Sequence, residues 1–206
     1  MIILLTGCGG GSGSPEQAIA QYYKASYKND RKALEKYWRI SDDNKKARKV
    51  IIENHILVGE FYASLEKVGK KAIDQMVQRG EMDRRGTNLK PPSSKEIKTA
   101  IKNAFELKKG EQRFVVSIPN RRLLYVGKYK GRWYVEHPFI SVNRTWGKNE
   151  VAFFEDMNKL YKDMRKEIKK SKDILQTQAG LRMFLTELQA KEQDLMFKHN
   201  IPLLVK

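Results

Sequence analysis

Leu123-Leu-Tyr-Val-Gly-Lys-Tyr-Lys-Gly-Arg-Trp-Tyr-Val-Glu136 is the stretch whose reading decides the fold. Aromatic and β-branched residues crowd both ends, which suits a pleated, half-buried surface. Lys130-Gly131 sits between them as a tight hairpin turn, with glycine supplying the positive φ such turns need. The stretch therefore reads as two antiparallel strands, Leu123 to Tyr129 and Arg132 to Glu136, with Trp133 and Val135 facing the core. Upstream, Phe114, Val116 and Ile118 alternate with Arg113, Val115 and Ser117, and Pro119-Asn120 makes a turn. That adds a third strand, and the period of two makes the whole an antiparallel meander.

On either side the period returns to that of a helix. Ser14 can cap a helix beginning at Pro15, with Gln17 closing a capping box. Ile19, Tyr22, Tyr23, Ser26 and Tyr27 follow at helical spacing, and Asn29-Asp30 breaks the run. A second short helix buries Ala33, Leu34, Tyr37 and Trp38. From about Val50 to Arg79 runs a long amphipathic helix, with Gly59 and Gly69 as candidate bends and Gly80 as its stop. After a Pro- and Gly-marked loop over 84–92, Ser93 and Glu96 form another capping box. Ile97, Ala100, Ile101, Ala104 and Phe105 then share a helical face that Gly110 ends. Beyond Pro138, Val151, Phe154, Met157, Tyr161, Met164, Ile168 and Leu175 recur at three- and four-residue steps, the spacing of a coiled-coil seam. After a weak break over 176–180, Leu181, Phe184, Leu185, Leu188, Leu195 and Met196 continue in a second helix. The fold class is α+β: helices packed on a small antiparallel meander of about three strands, then a C-terminal helical hairpin or coiled-coil-like segment. The α+β domain spans 15–140 and the helical segment 147–200.

Composition narrows the function. No apolar run reaches the 18 or so residues of a transmembrane helix. Cys8 is the single cysteine, so no internal disulfide forms, and with three histidines the chain lacks the ligands of a usual zinc site. No phosphate-binding loop, zinc-protease helix or nucleophile elbow is present, and no cofactor is implied. Forty-one Lys and Arg against 24 Asp and Glu leave a charge of +17, which calls for anionic lipid, an acidic envelope polymer or nucleic acid as a partner.

The N-terminus chooses among these. Leu5-Thr6-Gly7-Cys8 resembles a bacterial lipobox: an apolar residue, two small residues, then the cysteine that receives a diacylglycerol. The resemblance implies cleavage before Cys8, a membrane anchor at its thiol, and a location at the cell envelope. Residues 1–7 are then the remnant of a signal peptide. Its apolar run, Ile2 to Leu5, is shorter than an export signal's, which places the true start upstream of Met1. Residues 8–14 form a tether, and Gly9 to Ser14, only Gly and Ser, is expected to be flexible coil reaching at most about 20 Å. If Met1 is the real start, the alternative is a cytoplasmic basic protein that binds nucleic acid.

Ser14-Pro15-Glu16, Tyr22-Tyr23, Asn29-Asp30 and Gly131-Arg132-Trp133, in that order, resemble the nuclear transport factor two-like (cystatin-like) superfamily over roughly 14–140. That resemblance implies a curved sheet around helices, with a conical pocket. In the superfamily's enzymes Asp and His line the pocket, and no such residue matches a position here. A small pocket enzyme is thus a further alternative, while the reading preferred is a non-catalytic binding or scaffold module. His55 on the long helix reads as a buried structural residue, and His137 and His199 have no carboxylate partner at motif spacing. Lys159, Lys162, Lys166 and Lys169 repeat opposite the apolar seam and form a basic surface suited to anionic headgroups.

Overall fold

The computed structural model describes residues 10–42, 44–79, 90–107, 110, 112–119, 121–138 and 146–201. Helices α1 (Pro15–Tyr27) and α2 (Arg31–Tyr37) begin where the sequence places caps. Ser14 Oγ accepts the Gln17 N–H at 3.2 Å, and Asp30 Oδ1 accepts the Ala33 N–H at 3.0 Å. Between them Asn29 takes φ 52°, the left-handed turn asparagine tolerates. Helix α3 (Lys45–Gln78) is capped by Asn44 and α4 (Ser94–Lys102) by the full Ser93–Glu96 box. At the C-terminal end lie α5 (Lys148–Lys170), α6 (Lys172–Leu175) and α7 (Gln178–Lys198).

The sheet has five strands rather than three. They are β1 (Trp38–Arg39), β2 (Phe105–Glu106), β3 (Arg113–Val116), β4 (Leu124–Tyr129) and β5 (Arg132–Glu136), in the order β1-β5-β4-β3-β2. The expected meander β3-β4-β5 is present, with Lys130 and Gly131 at positive φ in its hairpin. The two added strands are short and sit at the edges. Trp38, expected on a helix, leaves α2 and pairs in parallel with Val135. Phe105, also expected on a helix, pairs with Val115. Both corrections have one cause: helix spacing persists for a few residues past the helix end, and a free sheet edge supplies backbone partners there.

Register divides the sheet into two faces. Val116, Val126 and Val135 are buried against α1, α2, α4 and the first turns of α3. Arg39, Arg113, Tyr125, Gly127, Tyr129, Arg132, Tyr134 and Glu136 share the opposite face. A second core lies between the rest of α3 and helices α5 to α7. The seam Val151, Met157, Tyr161, Met164 and Ile168 is buried in these cores, as its spacing predicts. Of the two candidate bends in α3, Gly59 stays helical and Gly69 kinks (φ −107°, ψ 20°). The carbonyl of Leu175 lies where a Gly69 side chain would begin, 2.8 Å from an added Cβ. The stop at Gly80 lies outside the described residues.

Candidate functional site

The Gly/Ser segment behind Cys8 is not free coil over its described part, Gly10–Ser14. The Gly11 N–H donates to the Lys36 carbonyl at 2.7 Å, closing the end of α2. Ser12 forms an antiparallel bridge with Trp133, each N–H donating to the other's carbonyl at 2.8 Å. Tyr134 Oη donates to the Gly10 carbonyl at 2.8 Å, and Arg132 Nη1 reaches the same oxygen at 3.5 Å. The sequence-based expectation of a flexible tether is thus corrected: the chain is fixed from Gly10 onward. These are mainly backbone bonds, so polar, side-chain-poor residues can make them. Glycine is also required: Gly11 has φ 86°, and an added Cβ would lie 2.6 Å from the Tyr134 ring. Cys8 and Leu5-Thr6-Gly7 lie outside the described residues.

Cations and aromatic rings crowd this corner. Lys36, Lys128, Lys130 and Arg132 are exposed. Lys36 Nζ stands 5.2 Å from the Tyr37 ring centre, Lys130 Nζ 5.1 Å from Tyr129, and Lys128 Nζ 5.9 Å from Trp133. On the sheet face that carries Arg132 and Tyr134, opposite to Lys128 and Trp133, Glu136 is only 2% exposed and is held between two guanidiniums. Arg39 Nη1 donates to its Oε1 at 2.5 Å, and Arg113 Nε lies 3.3 Å from Oε2. Arg39 also grips Asp42 through two bonds and stacks 3.8 Å over Tyr129. Burial works against the Arg39 charge, but the bonds to Asp42 and Glu136 outweigh it and raise its pKa. The hydrogen bonds from Arg39 hold the Asp42 carboxyl below its ordinary range. Gly127 makes room for the cluster, since an added Cβ would lie 2.6 Å from the Glu136 carboxylate.

The histidines have structural surroundings. His55 Nε2 and Ser26 Oγ are 2.8 Å apart, within a cage that includes Tyr22 and Trp38. Burial pushes His55 down to about 4, so near neutrality the ring is uncharged. His137 lies between Trp38 and Trp146, at ring distances of 6.0 and 4.8 Å, and burial lowers it to about 4 as well. His199 meets Asp156 at 2.9 Å, a partner that sequence spacing did not suggest. No group of three or more metal-ligating side chains occurs among the described residues.

The four lysines predicted as a basic surface all lie exposed on α5, but acids accompany Lys159, Lys162 and Lys166. Lys162 Nζ contacts Glu53 at 2.6 Å and Lys166 Nζ contacts Asp163 at 2.9 Å. Lys159 lines a groove of about 350 Å³ between α5 and α7, whose wall carries Asp156, Asp163 and Asp194 against Lys159, Lys191 and Lys198. Charge there is nearly balanced. Sequence reasoning missed the corner at Gly10, because Lys36 and Arg132 are each joined to this segment only by its docking. Comparison with family models, with curated proteins and with solved structures finds no match.

Proposed function

We propose that this protein is a lipid-anchored module of a bacterial cell envelope, held to a membrane through Cys8 and acting as a binding or scaffold domain without catalysis. The observation that carries the reading is the juxtaposition at the N-terminus. Leu5-Thr6-Gly7-Cys8 has the lipobox pattern, and the chain locks onto the fold only two residues later, at Gly10. Among the described residues no helix is long and apolar enough to cross a membrane, so a covalent lipid would be the means of attachment. One diacylglycerol supplies two chains, and two chains give stable anchoring. The +17 charge suits a negatively charged bilayer surface.

Metabolic labelling with an alkyne-tagged palmitate tests this in cells expressing the gene from its own locus. Label is expected on the protein, and its loss in Cys8→Ala. An unlabelled protein, or label that survives Cys8→Ala, overturns the reading.

A further inference from the structure

We propose that the corner of the fold around Gly10 is the surface that meets the membrane, with Lys36, Lys128, Lys130 and Arg132 contacting anionic lipid headgroups. This rests on the anchored reading and says how the domain would be oriented. Only the two peptide steps from Cys8 to Gly10 remain to separate lipid from fold, and extended chain covers about 7 Å in that distance. Whatever surrounds Gly10 would therefore be pressed into the headgroup layer.

What surrounds it is cationic and aromatic. Lys36 belongs to the residue whose carbonyl receives the Gly11 N–H. Arg132 reaches the Gly10 carbonyl itself. Lys128 lies directly across the ladder from Trp133, which in turn bridges to Ser12. Lys130 forms the tip of the same hairpin. Tyr37, Tyr129 and Tyr134 stand with Lys36, Lys130 and Arg132, while Trp133 and Lys128 flank the same hairpin end from the other face of the sheet, and tyrosine and tryptophan with lysine and arginine are the residues that settle at a membrane interface. Two acids are near. Asp42 feels the Lys130 charge but is held by Arg39, and Glu35 neighbours Lys36 on α2. On the α5 stripe, Lys162 and Lys166 face Glu53 and Asp163 at contact distance.

Sedimentation with lipid vesicles tests the surface without depending on lipidation. The full chain carrying Cys8→Ser is mixed with vesicles of phosphatidylcholine containing a quarter phosphatidylglycerol, and with pure phosphatidylcholine vesicles. Binding is expected to the anionic vesicles, to weaken with added salt, and to fall about a hundredfold in K36E/K130E/R132E. The milder K36Q/K130Q, which leaves the Gly10 contacts intact, is expected to lose about tenfold. Circular dichroism verifies that each variant is folded, and if the triple variant is not, the milder one decides. Equal binding by wild type and K36Q/K130Q, equal binding to both vesicle types, or loss in K159E/K169E instead would overturn the proposal. Tighter capture of a single-stranded RNA oligonucleotide, lost in the same variants, would also overturn it in favour of nucleic acid. Failure of palmitate labelling at Cys8 is read separately, in cells, so the two proposals fail independently.

Discussion

Gly127 and Glu136 illustrate how much can rest on one residue. The carboxylate occupies the volume a side chain at 127 would need, and it sits between two guanidiniums on a sheet face. Gly127→Ala is expected to lower the stability to urea unfolding by about 2 kcal/mol through overpacking. Glu136→Gln leaves Arg39 and Arg113 without their buried counter-charge, and a loss of roughly 3 kcal/mol is expected. His55 and His137 set a pH dependence. Both have folded pKa values lowered to about 4, below the unfolded value, so between those limits the unfolded chain binds more protons. Their contribution is fully present above about pH 6.5 and is lost as pH falls toward 4, by up to about 3 kcal/mol each. Urea midpoints measured from pH 7 to 4.5 should therefore decline, and His137→Gln should flatten the decline. The histidines dominate that upper window, because the carboxyls lowered by ion pairs, such as Asp42 and Asp156, titrate below it.

At the scale of elements, α3 offers a test of opposite signs within one helix. Gly59 is helical, and an added methyl would meet only the tip of the Asn29 side chain, at 3.2 Å. Gly59→Ala should stabilise by about 0.5 kcal/mol, because alanine restricts the unfolded chain and favours the helix. Gly69→Ala should destabilise by about 1–2 kcal/mol, since the obstacle is the Leu175 backbone at 2.8 Å, which cannot turn aside. Thermal unfolding of the two variants checks both. Elements also differ in how legible they are. Hairpin β4–β5 and the caps at Ser14, Asp30 and Ser93 could be read because each depends on residues a few positions apart. Strand β1 could not, since its pairing joins Arg39 to Glu136, 97 residues away.

Across the whole molecule, the N-terminal lock connects the fold to its proposed setting. Gly11→Ala should free the Gly10–Ser14 segment, because the methyl collides with Tyr134 and the backbone must leave φ 86°. Amide exchange at Ser12 and Trp133 is expected to quicken roughly tenfold or more while the meander stays protected, which mass spectrometry of peptides from both regions would detect. If exchange is unchanged, the lock does not depend on this contact. In the anchored protein the same variant should loosen the domain's orientation to the bilayer and leave its attachment intact.

The sequence by itself determined the helix starts at Ser14, Asp30 and Ser93, the meander, the α5 seam and the excess of positive charge, but not the start of α3, read at about Val50 and found at Lys45 behind an Asn44 cap. Each comes from sterics, capping or hydrophobic period acting over a few residues, and those forces are written in neighbouring side chains. Only the tertiary structure decided the edge strands, the Arg39–Glu136–Arg113 cluster, which lysines face acids, and the docking of Gly10–Ser12. Glycine and serine carry no pattern of burial to read. They are held by backbone N–H and carbonyl groups that every sequence possesses, and what selects them is an edge and a helix end that exist only once the rest of the chain has folded.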